Sequence, residues 1–495
     1  LDLIRAGANH SNFGEIRFVA DNTTLGIASG LFVNEPGGTI SGQGIIESLN
    51  FTNAGTLDPG GRGGVASTLQ FTGGGLNLVS TGTVMLDIFN GGHDQIQVAG
   101  TLEVGGGGFV HLNFLYSNNV LNGGTIDSVI EYGTLGTVGA LNVSHNLGFG
   151  YNVTVVDDTA LGANHYDIVV TPPVFDKSAV AGGEAAGGDW NDSPIWDNGI
   201  PVSADIVLIA GFAVTHATSA LDNVKALFLQ NASLAISSGT VAIQEQSRID
   251  GSSSLSLNPN GTSTGILQVE NELIVEGTMN WDNGVITTTG TGVLNIIGTL
   301  YLTPGADTAV DATIENNHEI YIAGGGTIDG SSSILNRGEL FVTDTTNFNL
   351  PITNKSGGVF SVTPGSLSNI THSQDFINEH GSWYSLETTN FGLNVILSNA
   401  DFLNAGTLEF LDIVGSGNYL FDLNGNGNQL VNTGDIEVFD DATINVEGAT
   451  LDSAGGDIAI EYGANLTIDG GLGGGSLVIG EGSALEAFGN SSNGD

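Results

Sequence analysis

One five-residue phrase constrains this chain more than any other feature: Asn, any residue, Gly, any residue, then Leu or Ile. It occurs as Asn12-Phe-Gly14-Glu-Ile16, Asn53-Ala-Gly55-Thr-Leu57, Asn336-Arg-Gly338-Glu-Leu340, Asn404-Ala-Gly406-Thr-Leu408 and Asn432-Thr-Gly434-Asp-Ile436. Looser copies start at Asn316, where His318 replaces Gly, and at Asn354 and Asn378, each with one extra residue before Gly. From Asn316 onward the copies are separated by 20, 18, 24, 26 and 28 residues. A second phrase, Gly-Thr followed by Leu or Met, begins at Gly100, Gly133, Gly277 and Gly298. Copies returning at irregular intervals of this size describe a solenoid, with each copy one turn of backbone and the inserted residues in loops.

The residues after each phrase alternate, as in Leu408-Glu-Phe410 and Ile436-Glu-Val438. Period-two alternation bounded by Gly and Asn marks short, half-buried strands. No window of ten or more residues has a helical period behind a capping residue, so the predicted class is all-β: a parallel β-helix, or β-solenoid, in two consecutive segments. About 20 rungs stacked roughly 4.8 Å apart would give a rod on the order of 100 Å long. Inward Val, Ile, Leu and Phe would form one stacked core. Gly and Asn are expected to supply positive-φ corners. The Asn of the phrase is expected to stack in a ladder, each side chain bonding to the next rung. Asn12, Asn53, Asn336, Asn404 and Asn432, with Gly14, Gly55, Gly338, Gly406 and Gly434, are therefore candidate structural residues.

Two segments interrupt the rhythm. Residues 173–187, with Pro172-Pro173 at their head and a Gly/Ala-rich run at their end, read as a flexible linker between a first solenoid at 1–172 and a second at 188–495. Just beyond lies Trp190-Asn-Asp-Ser-Pro-Ile-Trp196-Asp-Asn-Gly199-Ile-Pro201, followed by Ala204-Asp205-Ile-Val-Leu-Ile209. Trp190, Trp196, Pro201 and Asp205 are expected to cover the open end of the second solenoid, where a bare first rung would expose core and strand edges.

Charge removes several functions. The chain has 53 Asp and Glu against eight Lys and Arg, a formal net charge of −45 over 495 residues. It would repel phosphate backbones and anionic lipid surfaces, so neither nucleic acid nor membrane insertion is expected; no apolar run is long enough for a spanning helix. With no Cys there is no disulfide framework and no thiolate metal site. The chain starts Leu1-Asp2-Leu3-Ile4, which reads as a piece processed or excised from a longer secreted precursor.

Several stretches carry a resemblance. Gly55-Thr-Leu-Asp-Pro59-Gly-Gly61, Leu69-Gln-Phe-Thr-Gly73 and Asp94-Gln-Ile-Gln-Val98-Ala-Gly100-Thr-Leu102 resemble the repeat near the C-terminal end of autotransporter passenger domains, and residues 110–172 are similar to the closing rungs that follow it. The Trp190-to-Ile209 stretch resembles a motif found ahead of β-helical repeats in large bacterial surface proteins. The Asn-x-Gly-x-Leu copies resemble filamentous-haemagglutinin-type adhesin repeats. The resemblance implies a right-handed β-helix and a secreted, cell-surface or matrix location in a bacterium. It implies no particular receptor, and no membrane-barrel strands are seen before the chain ends in Gly489-Asn-Ser-Ser-Asn-Gly-Asp495.

Chemistry is sparse. Polysaccharide-cleaving β-helices use converging carboxylates with a basic partner. Asp157-Asp158 and Asp440-Asp441 are adjacent pairs, and adjacent strand residues point to opposite faces. Gly261-Thr-Ser263-Thr-Gly265 matches a nucleophile-elbow spacing but leads into a strand where the elbow needs a helix. The nine His are isolated, so no transition-metal site is expected. Calcium is the one candidate cofactor, and none is required. Asp422, Asn424 and Asn426, followed by Gly427, occupy the first, third, fifth and sixth positions of a calcium loop whose twelfth is Thr433 in place of Glu. Gly91-Gly92-His93-Asp94 is a shorter candidate. Diffuse binding of divalent cations along carboxylate rows is the expected mode.

The expected function is that of a non-enzymatic secreted structural or adhesive protein. It would self-associate into a filament or fibre, by head-to-tail stacking of solenoid ends or as one segment of a stalk, and would meet host or neighbouring-cell surfaces. The alternatives are a polysaccharide-cleaving or carbohydrate-binding β-helix.

Overall fold

A computed structural model describes residues 2–3, 9–18, 23–27, 30–60, 66–89, 92–105, 108–115, 123–139, 141–158, 164–179, 188–259, 264–303, 308–363, 368–388, 393–398, 400–412, 418–422, 428–439, 443–447, 451–453, 455–461, 464–469, 472–473, 476–479 and 484–488. They form stacked, nearly all-parallel β coils, a β-solenoid, in two compact units, Leu1–Val174 and Phe175–Asp495. The division falls at the start of the stretch read as linker. Lys177–Ser178 within that stretch pairs with Val207–Leu208, and Gly188–Asp189 pairs with Val214–Thr215, so both belong to the first turn of the second unit.

In the first unit each turn contributes three short strands. Thr24–Ile27, Gly44–Ser48 and Thr68–Thr72 stack on one face, and Phe32–Asn34, Asn50–Asn53 and Gly75–Leu78 on the next. Both columns end on the ten-residue strand Gln95–Val104, which runs across the corner between them. Thr39–Ser41, Thr56–Asp58, Thr83–Phe89 and Phe109–Phe114 build the third face. Within 110–172 the pattern changes. Gly124–Val138 stacks parallel on Gln95–Val104, then pairs antiparallel with His165–Thr171, which pairs antiparallel with Asn152–Asp158.

The second unit has two 14-stranded parallel sheets, and a third face in pieces of five and eight strands. Fourteen strands at the usual spacing extend roughly 60 Å along the stacking axis. The two pieces of the third face meet at Ala309, which forms an isolated bridge with Asp329. Register shows why the turn length varies. Asn336, Asn354, Asn378, Asn404 and Asn432 are successive Cα partners, so the first-face strand is constant while residues are added elsewhere. Added residues fall in the corner between Asn354 and Val359 and in the intervals between successive later strands, from Val362 to Ser368, Thr388 to Leu393, Asp412 to Asn418 and Asp422 to Leu430.

In most of the described strands alternate residues point inward, and the second unit buries one continuous apolar cluster from Ala179 to Ile468. Each fully buried Leu, Ile, Val or Phe contributes about 1.5–3 kcal/mol of transfer free energy, which opposes the chain entropy of ordering each turn. The core is aromatic around Phe348, Phe360, Phe376, Tyr384 and Phe402, whose ring centroids lie 4.7–5.9 Å apart. His372 is enclosed by these rings, and burial pushes its imidazole down to about 3, so the ring is neutral at ordinary pH. Arg248 and Glu276, both buried, pair through two charge-assisted hydrogen bonds. The one helical element among the described residues is the 3₁₀ turn Ser193–Ile195, and no helix there is long and apolar enough to cross a membrane.

Candidate functional site: the asparagine ladder and the solenoid ends

The phrase Asn closes its strand and turns its side chain into the corner. In the first unit Asn12 Nδ2 donates to Asn34 Oδ1 at 2.8 Å, and Asn34 Nδ2 to Asn53 Oδ1 at 2.8 Å. In the second, Asn316, Asn336, Asn354, Asn378, Asn404 and Asn432 donate each to the next at 2.6–2.8 Å, and Asn432 donates to Ser453 Oγ at 3.0 Å. The second amide proton goes to the backbone of the following turn. Asn336 bonds to Val359 O and Asn404 to Asp435 O, both at 2.9 Å. Apart from Asn12, which is 8% exposed, these amides are at most 1% exposed, so their hydrogen bonds form where water cannot compete.

The column has defined limits. Asn316 stacks on Ile296, itself in register with Val275, so the earlier turns fill the same place with aliphatic side chains. In the first unit Asn53 is in register with Leu78, and its amide turns to Gly55 O and Thr83 O. Asn34 belongs to the ladder and was missed in the sequence. Its copy, Asn34-Glu-Pro-Gly37-Gly38, has the same extra residue as the copies at Asn354 and Asn378.

The phrase glycines have a different reason from the one expected. Gly14, Gly55, Gly338, Gly406 and Gly434 do not adopt positive φ. A Cβ on Gly434 would lie 2.1 Å from Gly406 O, one on Gly338 2.2 Å from His318 O, and one on Gly55 2.2 Å from Gly38 O. Turns therefore stack too closely for a side chain there. Gly14 has nothing within 4 Å of its would-be Cβ, since it lies in the outermost described turn. Positive φ occurs in the copies with an extra residue, at Gly37, Gly357 and Gly381 (+90°, +79° and +76°). The Asn residues with positive φ, Asn231, Asn258 and Asn283, are outside the ladder.

At the start of the second unit Trp190 and Trp196 are buried, with ring centroids 5.2 Å apart in a T-shaped contact. Trp196 Nε1 donates to Trp190 O at 2.7 Å, and Ala179 bridges to Trp196. Both indoles join the N-terminal end of the core cluster. Pro201 is buried, and Asp205 closes the next corner by accepting Val202 N at 2.8 Å on Oδ2.

Carboxylates gather on the first unit's third face. Asp94, fully buried, accepts Ser67 N at 2.9 Å and Asp87 N at 3.1 Å. Burial, and then the charges of Asp87, Asp94 and Glu15, push Asp58 up to about 7; burial likewise pushes Asp94 up to about 7, against the hydrogen bonds it accepts. Asp87 is raised by burial. This cluster gives the Asp94 of the Gly91-to-Asp94 stretch a structural setting. Of the calcium-loop candidates, Asp422 ends the strand Asn418–Asp422, while Asn424 and Asn426 lie outside the described residues, as do Asp440-Asp441 and Ser263. Asp157 accepts the Tyr132 hydroxyl.

An outward column on the second unit was not anticipated. Tyr301, Tyr321 and Phe341 stack with centroids 5.4 and 4.9 Å apart and planes within 18°. Tyr321 is stacked on both faces, while Tyr301, 48% exposed, and Phe341 end the column. Period-two alternation places these residues outward, but only register between turns reveals that they align.

No family model matches this chain, and no curated protein is significantly similar to it.

Proposed function

We propose that the chain is a non-enzymatic structural segment of an extracellular bacterial fibre or adhesive stalk, in which solenoid ends stack axially. The observation that carries this reading is the buried asparagine ladder. Its side-chain amides bond rung to rung along the stacking axis and stiffen the solenoid as a rod. The ladder runs from Asn316 to Ser453, inside the second unit, so end-to-end stacking rests on strand edges at a solenoid end, which present unpaired N–H and C=O groups. The resemblance to passenger-domain and haemagglutinin-type repeats supports secretion and a cell-surface setting. Outward carboxylates support a cation requirement where chains pack side by side, with calcium the natural ion.

Electron microscopy of the purified chain, with and without millimolar calcium, tests this. End-to-end filaments are expected; discrete particles at all concentrations would eliminate axial stacking. A panel of uronate polymers assayed for reducing ends tests the enzymatic alternative, and turnover abolished by Asp157→Asn would overturn the structural reading.

A further inference from the structure

We propose that the antiparallel hairpin at the end of the first unit holds a divalent transition-metal ion between Asp158, His165 and Asp167. Asp158 and His165 are direct cross-strand partners at the mouth of the hairpin formed by Asn152–Asp158 and His165–Thr171. Side chains two apart on a strand share a face, and so do directly opposed residues. His165, Asp167 and Asp158 therefore converge on one side of the sheet. Asp157 and Tyr166 alternate to the other, where Asp157 takes the Tyr132 hydroxyl.

The distances suit a shared ion. One ligand atom from each of the three residues lies within 4.8 Å of the others, and His165 Nε2 is 3.2 Å from Asp167 Oδ1. Donors bound about 2.1 Å from one zinc-sized ion sit roughly 3.0–3.4 Å apart. The His–Asp edge is already at that separation, and the Asp158 carboxylate has to move in by on the order of 1 Å.

Two further features belong to such a centre. Asp167 is nearly buried and accepts Ser128 N at 2.8 Å, an outer contact that orients the carboxylate. Ser128 reaches it with φ of +60°, at an irregularity in the pairing of Gly124–Val138 with His165–Thr171. On the other side, His165 lines a cleft of about 480 Å³ with Asn164, Ser128, Glu131 and Tyr132. Water or a ligand carboxylate entering from that cleft would complete the coordination. One imidazole with two carboxylates favours zinc, nickel or manganese over calcium, which takes all-oxygen sets. No His or Cys lies at a ligand spacing from His165; Asp167 follows two residues later on the same strand, and Asp158 is brought in by strand pairing.

The test is calorimetric titration of the full chain with zinc chloride in millimolar calcium chloride, which occupies diffuse carboxylate sites. One equivalent of zinc is expected to bind saturably. His165→Ala and Asp167→Asn should each weaken it tenfold or more, while Asp157→Asn, on the opposite face, should bind as the unmodified chain does. Cobalt added to the unmodified chain is a second readout that needs no variant, its visible absorption reaching an end point at one equivalent. Zinc uptake without a stoichiometric end point, or an isotherm unchanged by His165→Ala in a variant with an unaltered melting curve, overturns the proposal.

Discussion

Replacing Asn378 with Leu should cost far more stability than replacing Asn316 with Ile, although both are fully buried members of one ladder. Asn378 is an interior rung. It donates to Asn404 Oδ1 at 2.8 Å and Thr407 O at 2.9 Å, and accepts from Asn354 Nδ2 at 2.8 Å and Ser382 Oγ at 2.7 Å. Leu removes all four bonds and leaves an amide proton of Asn354 and the carbonyl oxygen of Asn404 facing hydrocarbon. At about 1–3 kcal/mol for each orphaned buried group, less some apolar burial by Leu, the net cost is about 3–5 kcal/mol. Asn316 is the first rung and rests on Ile296. Ile there extends the aliphatic column and removes three bonds, those to Asn336 Oδ1 and Glu339 O and the one accepted from His318 N, of which only the bond to Asn336 is fully buried, so the expected cost is about 1–3 kcal/mol. All four tryptophans lie in the second unit, so guanidinium unfolding of the full chain followed by Trp fluorescence reports on this unit alone. Equal midpoint shifts for the two variants, or a smaller one for Asn378→Leu, would refute the view that ladder energy resides in mutual satisfaction of neighbours.

Gly55→Ala should destabilise the first unit by about 1–3 kcal/mol while Gly14→Ala is tolerated, because only the former drives a Cβ into backbone oxygens; indistinguishable circular-dichroism melts would contradict this. Trp196→Ala removes a buried indole and its bond to Trp190 O, costing about 3–5 kcal/mol, and amide exchange should quicken first in the strands nearest that end, such as Ile206–Ala210. Acidification should stabilise the first unit. Asp58 and Asp94 have folded values raised from 3.8 to about 7, so the folded state binds protons more tightly. Their stabilising contribution is complete below about pH 4 and lost as pH rises through about 7. A melting temperature of the Asp58→Asn variant with the same pH slope as the unmodified chain would rule this out. Calcium or high salt should raise the melting temperature at neutral pH, and indifference to both would count against charge repulsion as a burden on the fold.

The fold was readable because the repeat carries its own physics. Asn at a strand end followed by Gly names a corner that is both polar inside and crowded outside, and the spacing between copies equals the turn length. What could not be read is what register alone creates. Tyr301, Tyr321 and Phe341 are 20 residues apart and fall in one column because strand register is kept from turn to turn. Asp158 and His165 meet because the chain abandons parallel stacking at that point, which no local pattern announces. The phrase glycines were read for the wrong property: sequence shows that a side chain is missing, but only the stacked neighbour shows whether space or φ demands it.

Asparagine suits the ladder because an amide both gives and takes. A carboxylate in its place could accept but not donate, and a column of them would bury one charge per turn; an aliphatic residue propagates packing but leaves the corner carbonyls unpaired. Ser453 shows the rule at the ladder's end, accepting from Asn432 while its own hydroxyl turns to Gly456 O at 3.4 Å. With neutral amides filling the interior corners, acidic side chains are largely left to the outside, where like meets like along the axis. Glu319 is in register with Glu339, Glu409 with Glu437 and Asp435 with Asp457. Burial, then Glu409, Asp435 and Glu461, raise the Glu437 carboxyl above its ordinary value. Two unit charges about 5 Å apart in water repel by roughly 0.8 kcal/mol, a cost paid at each such step and relieved by salt. Cohesion between turns therefore has to come from the inside of the solenoid, from the amide ladder and the apolar core, against a repulsion along its acidic flanks that salt screens.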